Sequence, residues 1–289
     1  MCLPLNVNQH QRNQRRGFFM EIHLSYHFKP WLRKYGRWLL PVSILLMLGI
    51  WASVARWSGL PAFILPSPGR VVMRFWQALV DGSLVRHTIY TLLEVVLGMG
   101  AGVFLATLLG YALARSPLLE KVLSPYLVAS QAVPVVAIAP LLVIWFGPGL
   151  GSKVLICAYN YFFPLLVNTI VGLRAVPREL RELMYSLRAD RRQMLRYLEI
   201  PAALPVFLGG LRIGATLSVI GAVVGEFVGS DRGLGFLVNV ARNQYDTALV
   251  FVAVFTLIFL AVCLYGLVVL AERRWLAWMQ QPSPLQEVD

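Results

Sequence analysis

Residues 174–205 read RAVPRELRELMYSLRADRRQMLRYLEIPAALP, the one long and strongly charged segment between apolar spans. Pro177 suits the first turn of a helix, because its missing N–H would be unpaired there in any case. Four apolar residues then recur with the spacing i, i+3, i+4 and i+7 of a single helix face. They are Leu180, Leu183, Met184 and Leu187. Pro201 and Pro205 are expected to end the segment, since a proline inside a helix removes a hydrogen bond.

This amphipathic helix has two interpretations. It is either part of an ordinary cytoplasmic loop whose arginines follow the positive-inside rule, or a docking element that offers its apolar stripe to a partner at the membrane surface. Amphipathicity alone favours neither interpretation.

The chain as a whole has the composition of a membrane protein. Of its 289 residues, 58% are hydrophobic and 14% are charged, whereas soluble domains carry about 25% charged residues. A helix needs about 20 apolar residues to cross a bilayer, and six stretches satisfy that length. They are residues 38–57, 90–114, 127–146, 154–173, 206–228 and 248–270. The sequence therefore predicts an all-α polytopic membrane protein with six transmembrane helices.

The positive charge of the chain indicates its topology. The net charge is +12, and about two thirds of the 26 Lys and Arg residues face the cytoplasm if the N-terminus lies inside. Contact with anionic membrane lipid explains this distribution better than nucleic acid does. We therefore predict a multi-pass protein of the cell (inner) membrane with both termini in the cytoplasm. Its predicted parts are a basic tail (1–37), a first helix and external loop (38–82), a transmembrane domain (83–272) and a cytoplasmic tail (273–289).

Span 206–228 carries small residues at every third or fourth position, which lets helix backbones approach closely. On this face, Gly214, Gly221 and Gly225 are predicted to pack helices together or to serve a gate. Two glutamates, Glu94 and Glu226, fall toward the outer ends of their spans. Because a charge inside the bilayer is costly, both are expected to be exposed at the membrane interface.

The spacing within 174–205 resembles the cytoplasmic EAA loop of binding-protein-dependent ABC importer permeases. That loop has Glu-Ala-Ala, three residues, Gly, nine residues, and then an aliphatic residue, any residue, an aliphatic residue and Pro. The acid, the spacing and Pro201 all match. The resemblance implies a helix that couples the permease to its ATPase. Its coupling residues would be Glu182, Leu183, Met184, Leu187 and Arg188, of which the second and third replace the alanines and the last replaces the glycine.

A second set of motifs is similar to the nitrate-, sulfonate- and taurine-type permeases. Residues 131–147 read QAVPVVAIAPLLVIWFG and residues 161–168 read YFFPLLVN. The family likewise has a proline, an alanine, Pro-Leu and Trp-Phe-Gly before Phe-Phe-Pro and an asparagine. Further matches are Leu65-Pro66-Ser67-Pro68, Gly225-Glu226 and Gly233-Leu234-Gly235. The resemblance covers residues 62–278, but Glu94 stands where the family usually has a basic residue.

This resemblance implies the transmembrane domain of a type I ABC importer. Two copies of the chain would assemble as a homodimer with two ATPase subunits and an external substrate-binding protein. The chain has no Walker A loop, since its nearest string, Gly147-Pro-Gly-Leu-Gly-Ser-Lys153, lacks the Gly-Lys pair. We therefore expect neither an enzyme nor a cofactor or metal site, and we expect the energy to come from the partner ATPase.

Two other classes fit the sequence less well. An ion-coupled secondary transporter is expected to have a midplane carboxylate and inverted repeats, and neither is evident. A membrane enzyme would need clustered His, Asp or Glu side chains, whereas the four histidines are scattered.

The substrate is indicated only by a polar and aromatic stretch in span 154–173. Candidate residues of the translocation pathway are Tyr159, Asn160, Tyr161 and Asn168. Relatives in the resembled family carry oxyanions such as nitrate, sulfonates and taurine, or heterocycles such as riboflavin and hydroxymethylpyrimidine. Because no cluster of arginines lies within the spans, the sequence favours an uncharged heterocycle over an oxyanion.

Overall fold

The computed structural model describes residue 39 and residues 41–276. Most of the two predicted tails, including all of 1–37, lies outside the described residues. Everything regular in the described part is helical, which confirms the predicted all-α class. The chain divides into two units, residues 1–68 and residues 69–289.

The first unit contains helix α1, Pro41–Trp57, which is apolar but shorter than a full span. The second unit contains nearly all of the remaining helices. Their bounds are α2 Pro68–Val80, α3 Ser83–Arg115, α4 Pro117–Gln131, α5 Val135–Phe146, α6 Leu150–Arg174, α7 Arg178–Ser186, α8 Arg191–Met194, α9 Ile200–Val228, α10 Leu234–Asn243 and α11 Thr247–Trp275.

Four continuous helical stretches of the described chain are long and apolar enough to cross a membrane: α3, α6, residues 191–228 and α11. A fifth span results if α4 and α5 are taken together, although they meet at an angle of 96°. The span expected over 127–146 is therefore not one continuous helix but two helices that meet at a bend. Pro134 adopts an extended conformation (φ −61°, ψ 132°) at the start of α5, and a proline also disfavours helical geometry in the residue before it.

The segment 174–205 confirms one expectation and corrects another. Helix α7 begins directly after Pro177, as the sequence predicts. However, Pro201 and Pro205 do not end the segment, because helix continues from Arg191 to Val228. Residues Leu195–Glu199 form a π-helical turn, in which the N–H of Ile200 donates to the carbonyl of Leu195. This wider turn shifts the hydrogen-bond ladder just before the prolines, so the first of them falls in the first turn of α9.

Close contact between α3, α6 and α9 forms the centre of the second unit. A Cβ atom added at Gly98 of α3 would lie 2.2 Å from Cβ of Cys157 on α6. One turn further along α6, a Cβ at Gly214 of α9 would lie 2.5 Å from Cε2 of Tyr161. The order of these contacts makes α3 parallel to α6 and α9 antiparallel to both.

This three-helix core has two ends that are distinguished by their charged residues. The α7 end carries Arg115, Arg174 and Glu199, and it is followed in the chain by the charged loop. The α10 end carries Glu94, Lys153 and Glu226, and the turn between α9 and α10 packs on it.

Candidate functional site

Helix α7 has an uncovered apolar face. Leu183 is 54% exposed and Leu187 is 68% exposed, and Leu180 is exposed beside them. Met184 belongs to the same predicted stripe but turns inward and packs against a buried cluster of Val176, Met194 and Leu198. The structure therefore separates the stripe into one residue that anchors α7 to its own chain and three residues that remain available to a partner.

A hydrogen bond and this small cluster hold α7 at a fixed place. The Arg181 guanidinium donates to the carbonyl of Leu173, at the end of α6, over 2.9 Å. The side chain of Glu182 lies on the exposed surface of α7, and its backbone carbonyl accepts from the hydroxyl of Ser186. The helix is thus braced against α6 while its acidic and apolar side chains point outward.

Arg188 lies in the left-handed backbone region with φ 55°, just after the end of α7. The N–H of Ala189 donates across this turn to the carbonyl of Met184 over 3.0 Å. A turn of this kind after a helix usually contains glycine, because a Cβ atom is disfavoured at positive φ. The glycine of the resembled loop motif, which Arg188 replaces, is therefore explained by the backbone conformation at this position.

The four candidate pathway residues do not share one surface. Tyr161 is completely buried between α3 and α9, and Asn168 lies against Gly210 in the contact of α6 with α9. Asn160 donates its amide to the carbonyl of Leu217 on α9 over 2.8 Å. Each of these three side chains takes part in packing within the chain.

Tyr159 has a different position, next to the bend between α4 and α5. Its hydroxyl donates to the carbonyl of Ser130 over 2.6 Å, close to the C-terminus of α4. Its ring meets that of Phe163 edge to face at 5.3 Å, and Phe163 in turn meets Phe162 at 5.1 Å. These three half-buried rings form an aromatic group beside the bend.

The α9 glycines that the sequence singles out all face α6. A Cβ at Gly221 would lie 3.0 Å from Cα of Cys157, and one at Gly225 would lie 3.2 Å from Cγ of Lys153. Together with Gly214 they allow the two backbones to approach within a distance that larger residues would prevent.

The α10 end contains two glutamates whose exposure was predicted wrongly from the sequence. Glu94 and Glu226 were expected to be exposed, but their residues are only 2% and 1% exposed. The N–H of Gly235 and the hydroxyl of Thr91 donate to Glu226, and Lys153 approaches Glu94. Burial is possible because these partners replace water. The motif with glycines at 233 and 235 was the sequence signal, since close backbone donors need residues without a Cβ.

The α7 end contains a buried acid that sequence reasoning did not identify. Glu199, in the π-helical turn, accepts from the guanidinium of Arg115 at the end of α3 over 2.7 Å. Arg115 borders a polar cavity of about 610 Å³ that also meets Asp190 and Arg191. The pair therefore links the loop that follows α7 directly to α3. Within residues 41–276, three or more His, Cys, Asp or Glu side chains nowhere gather as a metal site would require.

Comparison with protein families decides the class of this protein. Residues 98–277, more than half of the chain, match the family of binding-protein-dependent transport system inner membrane components. The chain belongs to this family. It is a multi-pass permease of the inner membrane and a subunit of an ABC importer, a class that works with an ATPase and a substrate-binding protein.

Several relatives support the assignment to ABC permeases. The chain is 51% identical over 239 residues to the riboflavin transport system permease protein RibX of Chloroflexus aurantiacus, covering 83% of this chain and 89% of that one. It is 37% identical to the formylaminopyrimidine transport permease protein ThiX of Halalkalibacterium halodurans, covering 82% and 94%. It is 31% identical to the taurine transport system permease protein TauC of Escherichia coli, covering 82% and 88%.

The fold of the permease agrees with a solved structure. The crystal structure of an amino acid ABC transporter with histidines matches 68% of this chain and 96% of that chain, with a TM-score of 0.55 and 20% identity. The predicted type I fold of ABC permeases is thereby confirmed.

Proposed function

We propose that the permease carries a heterocyclic vitamin or vitamin precursor, with riboflavin as the best candidate and hydroxymethylpyrimidine as the next. The observation that carries this proposal is the 51% identity to a riboflavin permease across 83% of the chain. The two relatives named for aliphatic sulfonates in Bacillus subtilis and for taurine in Escherichia coli are 32% and 31% identical. They make sulfonates and taurine the alternative substrates.

The aromatic group beside the α4–α5 bend supports the same substrate class. Tyr159 and Phe163 present flat apolar rings, on which a planar heterocycle can stack, while the Tyr159 hydroxyl adds one polar contact. An aliphatic sulfonate would gain little from such rings, because its recognition needs charge-assisted donors. We place Tyr159 at the pathway and assign Asn160, Tyr161 and Asn168 to the helix packing that holds it there.

Uptake measurements test the substrate. Cells that express the permease with its ATPase and binding protein should accumulate riboflavin, and unlabelled riboflavin should compete better than taurine. Tyr159→Phe keeps the ring and should keep most of the uptake, whereas Tyr159→Ala should lower it several-fold. Uptake of taurine with no uptake of riboflavin would contradict the proposed substrate and leave the ABC permease assignment in place.

For the assembly we propose a homodimer of this chain with two ATPase subunits. Each α7 would insert its exposed face into a cleft of one ATPase, with Glu182 forming a charge-assisted contact and Leu183 and Leu187 filling an apolar notch. The uncovered side chains of α7 support this arrangement. Met184 and Arg188 would act indirectly, by anchoring α7 and by shaping its C-terminal turn.

A double variant tests the coupling role. Glu182→Ala combined with Leu183→Ala should abolish substrate-stimulated ATP hydrolysis and co-purification of the ATPase, while the chain still inserts in the membrane. Glu179→Ala, an exposed acid in the first turn of the same helix, is the matched control and should retain both. If the double variant retains both properties, α7 is only a charged connecting segment and does not couple the permease to the ATPase.

Topology has its own test. We propose that both termini and α7 face the cytoplasm, as the distribution of Lys and Arg supports. Asp190→Cys in a chain without its three native cysteines should react with an impermeant thiol reagent in inverted vesicles and stay unlabelled in intact cells. Labelling from outside would reverse the orientation.

A further inference from the structure

Helix α2 has an exposed apolar face. Four side chains share this face, at positions that fall on one side of a helix: Val72, Met73, Trp76 and Val80. Trp76 is 58% exposed and Val80 is 84% exposed. Single apolar residues on a protein surface are ordinary, but large ones grouped on one face indicate contact with a partner or with lipid.

The other two sides of α2 have different properties. Opposite the apolar face, Val71 and Ala78 are buried against the permease. The third side is polar, with Arg70 and Gln77 both exposed. A helix that has an apolar side next to a polar side is suited to lie along a membrane surface, where it meets acyl chains and headgroups at once.

An ion pair places the middle of α2 at the start of α11. The Nε of Arg74 donates to Oδ2 of Asp246 over 2.7 Å, and Oδ1 of Asp246 accepts from the N–H of Leu249 in the first turn of α11. Residues 247–271 include no Asp, Glu, Lys or Arg. At 1.5 Å per residue they extend over about 37 Å, and the hydrocarbon core of a bilayer is ~30 Å thick. Asp246 therefore lies close to the membrane boundary, and so does α2.

A tight turn fixes the C-terminal end of α2 to the start of α3. The N–H of Ser83 donates to Oδ1 of Asp81 over 2.8 Å, and the hydroxyl of Ser83 donates to the carbonyl of Ala78 over 3.3 Å. Between them Gly82 has φ 75°, a conformation that glycine adopts without strain. With this turn at one end and the ion pair in its middle, α2 is held at the level where two spans begin.

Lipid fits the apolar face better than a soluble protein does. A surface that binds and releases a soluble partner usually carries polar groups among its apolar ones, whereas the exposed positions on this face are all apolar. Tryptophan is enriched at the level of the lipid headgroups. Arg70, on the adjacent polar side, has the charge that lipid phosphates attract.

We propose that α2 is an interfacial helix that lies along the bilayer surface at the α10 end. Val72, Met73, Trp76 and Val80 contact the acyl chains just below the headgroups, while the polar side faces headgroups and water. Through the pair of Arg74 with Asp246 and the turn at Gly82, α2 sets the depth at which α11 and α3 enter the membrane. This placement depends on neither the substrate nor the orientation of the permease.

Electron paramagnetic resonance of the spin-labelled permease, in complex with its ATPase, tests the proposal in vesicles of phosphatidylcholine and phosphatidylglycerol. Trp76→Cys, in a chain without its three native cysteines, carries the nitroxide on the apolar face. This label should collide several-fold more with oxygen, which dissolves in lipid, than with a nickel chelate, which stays in water. Gln77→Cys, the next residue and on the polar side, is the matched control and should show the reverse preference.

Two results at position 76 would overturn the proposal. Frequent collisions with the nickel chelate would place the apolar face in water. Rare collisions with both reagents would show that protein covers it, whether a second copy of the chain or another part of the same one.

Brominated lipids give a second test that leaves the cysteines unchanged, so it decides the question even if the cysteine-free chain does not fold. The fluorescence of Trp76 is obtained as wild type minus Trp76→Phe. Bromine atoms near the headgroup should quench it more strongly than bromine atoms near the ends of the acyl chains. No quenching by either lipid, or stronger quenching by the deeper bromine atoms, would contradict an interfacial position.

Discussion

The carboxylates at the two ends of the three-helix core are stabilised in different ways. At the α7 end two carboxylates each pair with one arginine: Glu199 pairs with Arg115 and Glu120 pairs with Arg174. The α10 end has two carboxylates for one lysine, and the backbone N–H of Gly235 in the neighbouring turn supplies part of the stabilisation. The arginines are also in contact with water, as the side chain of Arg115 is 41% exposed, whereas the side chains of Lys153 and Glu94 are closed off from it.

This difference indicates how rigid each end is. An ion pair at the surface contributes about 0–1 kcal/mol, so the exposed pair of Arg174 with Glu120 can exchange partners when a bound protein moves the loop. A buried group with several partners is held more strongly, since removing any one partner leaves another unpaired in a dry site. We therefore expect movement at the α7 end and a fixed joint at the α10 end.

Both ends depend on the contact of α6 with α9, so Gly221→Leu should have the largest effect. Its Cβ alone would lie 3.0 Å from the backbone of Cys157, and overpacking of this kind costs about 1–3 kcal/mol or more. The yield of folded permease and the uptake should both fall strongly. Gly100→Leu, on α3 with open space around its Cα, is the control. Equal yields of the two variants would show that α6 and α9 separate easily.

A substitution in the α9–α10 turn tests the rigid joint. Gly233 has φ +104°, and a Cβ there would lie 2.1 Å from Oε1 of Glu226. Gly233→Ala should therefore displace the carboxylate from Thr91 and lower stability by about 1–3 kcal/mol. Thermal unfolding measures the loss. Gly149→Ala, in another loop with open space, should change the midpoint little, and a similarly small change for Gly233→Ala would argue against a tight joint.

The α7 end should be less sensitive. Arg115→Ala leaves the carboxylate of Glu199 unpaired in the π-helical turn, and because Arg115 is partly in water we expect a loss of about 1 kcal/mol. Arg174→Ala removes a more exposed pair and should cost less. The combination of Arg115→Ala with Glu199→Gln should recover stability. If Arg174→Ala lowers the stability more than Arg115→Ala does, the exposure of an ion pair does not determine how much it contributes to stability.

The same two ends show which features of the structure could be predicted from the sequence. The helix α7 was predictable, because Pro177 and the leucine spacing are local signals that act within a few residues. The buried state of Glu94 was not, since it depends on Lys153 from another helix, which lies far away in the sequence. Local rules also failed to predict the bend at Pro134. They wrongly ended the helix at Pro201, where a π-helical turn changes the hydrogen-bond ladder that the rule assumes.

The smallest predicted effect concerns the turn after α7. Arg188→Gly should relieve the left-handed strain of a residue with a Cβ, a gain of about 1 kcal/mol, and the greater freedom of glycine in the unfolded chain should offset part of it. We therefore expect a slightly higher unfolding midpoint with unchanged uptake. Ala189→Gly, at the next position, has no positive φ to relieve and should lower the midpoint instead. If Arg188→Gly preserves the isolated permease but weakens co-purification of the ATPase, the strained residue is retained because its guanidinium contacts that partner. The strain at the α7 end would then serve binding, whereas the burial at the α10 end serves the fold.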